Sequence, residues 1–143
     1  MRKILSIVAS MATAFVYVMC SNNGNIPIET NWEVEYICSD NKEMAPPADH
    51  QATLAFLGDS KISGTTGCNR FFGEFSVKGE NLNFDNVGST RMMCPDMAFE
   101  TAFIDAVAKT CTFTINGDHL TLKDNSGNIV ALLKKIEPIA LEN

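Results

Sequence analysis

The chain is poor in the groups that most often carry chemistry. It has two histidines, His50 and His119, both in segments that read as turns and neither beside a cysteine. Gly-x-Ser-x-Gly is missing, and neither histidine falls in a recognisable nucleophile motif, so a base-activated serine or cysteine is not expected. Gly64 and Gly67 are not followed by Gly-Lys-Ser or Gly-Lys-Thr, which excludes a phosphate loop. Cys38, Cys68, Cys94 and Cys111 contain no Cys-x-x-Cys pair, the spacing a zinc site normally uses. Cations are scarce: 11 Lys and Arg face 17 Asp and Glu, for a net charge of −6, which argues against nucleic acid or an anionic membrane face as partner. Repeats and low-complexity tracts are also lacking. The expectation is no catalytic residue, no metal and no cofactor.

What is present begins with an address. Arg2 and Lys3 precede an uncharged stretch at 4–19, apolar except for Ser6, Ser10 and Thr13. It is slightly short for a spanning helix of about 20 residues and reads as a signal peptide. Cys20 ends the run where a bacterial lipoprotein signal has its modified cysteine, although Tyr17 and Met19 are larger than the strict pattern. Several acyl chains on Cys20 would give stable membrane attachment; a secreted chain with Cys20 as a free thiol is the alternative. The polar run at 21–25 looks like a tether. The expected layout is a signal at 1–19, lipidated Cys20 and flexible tether at 20–30, a folded domain at 31–136 and a tail at 137–143. Such a chain is exported and anchored to an envelope membrane, facing the periplasm.

Removing the signal leaves about 124 residues, one domain with room for a core. Losing Arg2 and Lys3 moves the charge from −6 to −8. The four remaining cysteines are an even number in an exported chain, which suggests disulfides. Three pairings are open, as is a set of buried thiols.

Alternation predicts strands. Residues 31–38 put Trp32, Val34, Tyr36 and Cys38 on one face, with Glu33, Glu35 and Ile37 on the other. Pro46 and Pro47 make 40–50 a loop. Further strands are expected at 51–57, 61–64, 74–77, 81–84, 111–115, 119–123 and 129–135, with glycine turns between them. One helix is expected from about Pro95 to Lys109, with Phe99, Ala102, Phe103, Ala106 and Val107 as its apolar stripe and Asp96, Glu100 and Asp105 facing water. Many short strands at regular spacing suggest a barrel or sandwich.

The densest stretch, Gly67-Cys68-Asn69 with a Thr-x-Met-x-Cys element at Thr90, Met92 and Cys94, resembles the META domain family, which includes HslJ-like heat-shock lipoproteins. Trp32, Gly73, Glu100 and a closing hairpin with Leu120 and Leu122 extend the resemblance over most of 31–135. Phe71-Phe72 after the turn is a departure. The resemblance implies a mainly β (α+β) fold: a small, partly open antiparallel β-barrel, lipocalin-like in outline, with one helix closing an end. It also implies a Cys68–Cys94 bridge, which leaves Cys38 with Cys111.

Asn69 beside a glycine is expected to hold its own turn through side-chain to backbone bonds. Arg70 and Arg91 offer donors for a carboxylate or phosphate, and Asp85, Asp96 and Glu100 are conceivable as a carboxylate pair; solvated surface charge is the simpler reading of both sets. The expected function is a non-enzymatic, lipid-anchored envelope protein, serving stress tolerance or envelope integrity through an envelope protein partner. Eight phenylalanines from Phe56 to Phe113 raise an alternative: a carrier of a small apolar ligand or lipid in the barrel interior. A third reading is an inhibitor or pilot-like accessory subunit.

Overall fold

Strand β1 (Thr30–Ser39) is the hub of the sheet. On one edge it pairs antiparallel with β3 (Thr53–Leu57) near its start and with the short β2 (Lys42–Met44) near its end. Its other edge takes the last strand, β9 (Ile129–Ile136). Between them run β4 (Lys61–Thr65), β5 (Arg70–Lys78), β6 (Asn81–Ser89), β7 (Thr112–Asn116) and β8 (His119–Lys123), each antiparallel to the next. The pairing therefore closes into a ring, the partly open antiparallel barrel that was expected. This computed structural model describes residues 25–138; Cys20, the signal and most of the tail lie outside the described residues.

The ring is thinnest between β6 and β7, where Asn81 opposite Thr112 is the one paired position. Two backbone bonds flank it, from Leu82 to the Cys111 carbonyl and from Phe113 to the Glu80 carbonyl. The chain between these strands forms helix α1 (Ala98–Lys109), which packs across β1, β6 and β9. Asp96 accepts a bond from the Ala98 N–H at 2.9 Å, so the helix starts three residues after the expected proline. Phe99, Phe103, Ala106 and Val107 are buried on its stripe, while Ala102 is only half-buried. The Phe103 ring meets Phe71 edge to face at 5.4 Å.

Trp32, Phe56, Phe71 and Phe103 are fully buried and fill the ring with side chains. Burying each such group contributes roughly 1.5–3 kcal/mol or more. Phe75, Phe99 and Phe113 join the same core, whereas Phe72 is exposed. Phe71 lies over Gly64 on the facing strand, where an added Cβ would sit 2.1 Å from the Thr53 carbonyl oxygen and 2.6 Å from the Phe71 ring.

Three local readings of the sequence are corrected. The β1–β9 register shifts between Val34 and Tyr36, and this bulge turns the strand over. Ile37 is therefore completely buried, while Tyr36 and Cys38 are only half-buried. The segment expected as a loop from residue 40 contains β2, because Asp40 and Asn41 both take positive φ, 50° and 61°, as a two-residue hairpin turn requires. The docked chain also begins early: Ile26 is buried in the core and the Glu29 N–H bonds the Phe56 carbonyl at 2.7 Å. That places the end of the expected tether inside the folded unit.

Candidate functional site

One end of the barrel gathers most of the singled-out residues. The β4–β5 turn is built by two threonines: Thr65 Oγ1 accepts from the Gly67 N–H at 3.0 Å and Thr66 Oγ1 from the Asn69 N–H at 3.0 Å. Gly67 has φ +95°, a conformation glycine adopts without penalty. The Asn69 side chain, 1% exposed, is thereby released from its own turn, contrary to the expected local role. It reaches instead to the segment entering α1, residues 90–97, here called the strap. Asn69 Oδ1 accepts from the Met92 N–H at 2.7 Å and from Thr90 Oγ1 at 2.9 Å. Its Nδ2 donates to the Met92 carbonyl at 3.0 Å and to Glu100 Oε2 at 3.0 Å.

Glu100 is 7% exposed, so its expected solvent-facing position is overturned. Its carboxylate takes the Asn69 amide on one oxygen and lies 3.2 Å from Thr66 Oγ1 on the other. The signal was legible: Glu100, Phe103 and Val107 fall at i, i+3 and i+7, on the buried stripe. Among the described residues, no buried side-chain polar atom is left without a hydrogen-bond partner. The network thus holds the strap to the sheet at little desolvation cost.

A disulfide between Cys68 and Cys94, with Cα atoms 6.3 Å apart, ties the strap a second time. The other expected bridge does not form: Cys38 and Cys111 are half-buried free thiols. Cys38 is on β1 and Cys111 just precedes β7, with β9 and β8 between these strands along the sheet. Three strand spacings of about 4.8 Å amount to roughly 14 Å, beyond the roughly 7 Å that a disulfide can span. Burial, then the Glu43 carboxylate, raises the Cys38 thiol above its usual pKa.

The remaining candidates are dispersed. Trp32 is in the core, its indole N–H bonded to Thr30 Oγ1 at 3.0 Å. Gly73 sits at the β5–β6 bulge, where a Cβ would come within 3.0 Å of the Asp85 carbonyl. Asp85 is exposed on β6 and Asp96, just before the helix, accepts from the Ala98 N–H, so with buried Glu100 the three acids occupy separate settings. His119 faces Glu35 at 3.6 Å, and His50 packs its Cβ near Gly67. Arg70 and Arg91 are both exposed. Among the described residues, no group of three or more His, Cys, Asp or Glu is placed to hold a metal.

Two hollows flank the strap. One, of about 170 Å³, is lined mainly by apolar surface from Pro47, the Cys68–Cys94 bridge, Pro95 and Phe99, with His50 and Glu100 at its edge. The other is lined by Met92, Met93, Met97, Thr101 and Ile104. Met93 is 89% exposed and Met92 59%.

The META domain family model matches residues 25–137, which spans the ring, the strap and the disulfide. The chain belongs to the META domain family. Its fold also matches solved structures at low identity. An NMR structure of a protein from Burkholderia xenovorans agrees with TM-score 0.65 and 22% identity, covering 94% of this chain and 100% of that one. A second NMR structure gives TM-score 0.56 at 20% identity, covering 74% and 88%. The crystal structure of a duf4847 family protein from Bacteroides vulgatus gives 0.54 at 14%, covering 74% and 92%. These matches establish the shared fold of this META domain. No curated protein matches the chain.

Proposed function

We propose that this META domain protein is a non-enzymatic, lipid-anchored component of a bacterial envelope that acts by binding another envelope protein, in support of stress tolerance or envelope integrity. The observation that carries this reading is how the family-motif residues are used. Asn69, Thr90 and Glu100 of that motif, joined by Thr66 from the same turn, bond one another and the strap backbone, so their chemistry is committed to holding a loop in place. That loop then presents the exposed side chains of Met92 and Met93. Fixing apolar side chains on a rigid frame lowers the ordering cost of association.

The carrier alternative is less well supported. The ring interior that it would use is filled by Trp32, Phe56, Phe71 and Phe103; of the two hollows at the strap, the one by Met92 and Met93 is an open surface groove of about 390 Å³, and the one beside the disulfide is about 170 Å³, below the roughly 300–1,000 Å³ of ordinary ligand sites. A hollow of that size suits one ring-sized side chain of a partner.

The test is the intact mass of the chain expressed with its signal in a bacterial host, before and after reduction and alkylation. Cleavage before Cys20, added acyl mass on Cys20 and one reducible bridge are expected. An uncleaved or unacylated product would reject anchoring. A catalytic turnover abolished by Glu100→Gln in a folded protein would reject the non-enzymatic reading.

A further inference from the structure

We infer that the strap end of the barrel is the binding face, and that its partner is a short protein segment combining acidic with apolar side chains. The inference deepens the anchored, partner-binding reading and rests on it.

The two ends of the molecule are not equivalent. The chain enters at Ile26, beside Phe75, Val77 and Gly79, at the far end of β5 from the strap. Strand β5 runs from Arg70, whose carbonyl accepts from the Thr90 N–H and whose N–H donates to Thr90 Oγ1, to Lys78. Eight steps of about 3.3 Å make that distance roughly 26 Å. From Cys20 to Ile26 the chain reaches at most roughly 20 Å when fully extended. An acylated Cys20 would therefore hold the entry end within about 20 Å of the bilayer, while the strap end, at the other end of β5, is free to face away from it.

The outward end carries the exposed apolar side chains of Met92, Met93 and Phe72, the last 57% exposed. Arg91 is next to Met92 in the strap, and Arg70 is two residues before Phe72 on the outer face of β5. The ion pairs among the described residues join Lys61 to Glu74, Lys109 to Asp105 and His119 to Glu35. Neither arginine has a carboxylate partner among those residues. Asp96, the nearest exposed acid in the strap sequence, is engaged by the helix start. Methionine and arginine are enriched in protein interfaces, and methionine adapts its shape to what it meets. Two unpaired guanidinium groups favour carboxylates in the partner. The chain's net charge of −6 repels a uniformly acidic protein, so the acids belong to a local segment. A lipid surface is the less favoured occupant, because the net acidic charge of the chain opposes an anionic membrane face.

The experiment places a photo-crosslinking residue at position 93 of the full-length chain, expressed with its signal and irradiated in cells, with the same probe at position 28 as the entry-end control. The expected result is an adduct at 93 whose mapped segment carries Asp or Glu beside apolar residues. Its yield falls about tenfold in Arg91→Glu, and position 28 does not reproduce it. Both sites are exposed, and an intact Cys68–Cys94 bridge by mass checks that each variant has folded. A lipid adduct at 93, a segment without acids, no adduct, or a yield unmoved by Arg91→Glu overturns the inference. The intact mass of the same samples reads acylation separately. An unacylated chain that still forms the charge-sensitive adduct removes the anchor and leaves the binding face standing.

Discussion

Replacing Asn69 by alanine tests whether the buried network holds the strap. The side chain makes four hydrogen bonds: two with the Met92 backbone, one with Thr90 and one with Glu100. A neutral bond contributes about 1 kcal/mol and one to a charged group about 2, for a gross loss of about 5 kcal/mol. The Met92 backbone lies in an exposed segment and regains water bonds, whereas the Glu100 carboxylate keeps only Thr66 beside it. The net loss expected is therefore about 3–4 kcal/mol, a large share of the roughly 5–15 kcal/mol typical of a domain. At about 4 °C per kcal/mol the midpoint falls by about 15 °C. Thermal and urea unfolding followed by circular dichroism, with the disulfide intact, give this directly. The cycle with Glu100→Ala should show coupling of about 1 kcal/mol or more. A loss below about 1 kcal/mol, or strictly additive effects, would refute the account and return Asn69 to an ordinary turn residue.

Three further outcomes are expected. Alkylation of the folded, unreduced chain should label Cys38 and Cys111 but neither Cys68 nor Cys94, with Cys38 reacting slowly at neutral pH because burial and Glu43 keep its thiol protonated; protection of both free thiols by a reducible bond would restore the second bridge. Gly64→Ala should cost more than about 3 kcal/mol in chemical denaturation, since its Cβ meets the Thr53 carbonyl at 2.1 Å and backbone cannot easily give way. Gly58→Ala, with nothing within 4 Å of its Cβ, should stay within about 0.5 kcal/mol; equal effects would refute the packing argument. The Asp124 carboxyl should titrate below an ordinary aspartate by NMR, because the Asn128 backbone N–H and further turn donors stabilise its charged form. Its folded pKa is depressed, so the turn gains stability above the unfolded pKa and loses it as pH falls through the folded one. Asn128→Ala should move the titration back towards the ordinary range only in part, since the backbone bond remains; no movement at all would count against the side-chain contribution.

The strands with strict alternation were legible: β8 falls at 119–123 as expected, and Trp32 and Val34 point inward. Alternation fails where a bulge reverses it, as between Val34 and Tyr36, because one extra residue exchanges the two faces. Strand β2 was hidden by its own residues. Lysine and glutamate have little apolar pattern, and the hairpin depends on positive φ at Asp40 and Asn41 rather than on glycine. Strands β5 and β6 run longer than the hydrophobic signal because Arg70, Asp85 and Asn86 sit on outward positions. At the site, the Gly67–Asn69 turn and the Cys68–Cys94 pair came from the family resemblance. The Asn69–Glu100 bond did not, because it joins residues far apart in sequence, and a lone acid on a helix reads as solvated until the partner that satisfies it is known.

The β1–β9 pairing sets an order of events as the chain emerges, amino terminus first, into the compartment where it folds. Asn31 is among the first residues of the domain to arrive, yet its partner Ile136 is among the last. One whole edge of β1 must wait while about 100 residues emerge, and the loop that finally closes is among the longest the domain can form. Contacts of such long range slow folding, and an unpaired strand edge left open meanwhile invites pairing with neighbouring chains. Substitutions in β9 should therefore reduce the yield of folded protein more than their effect on the stability of the finished barrel would suggest.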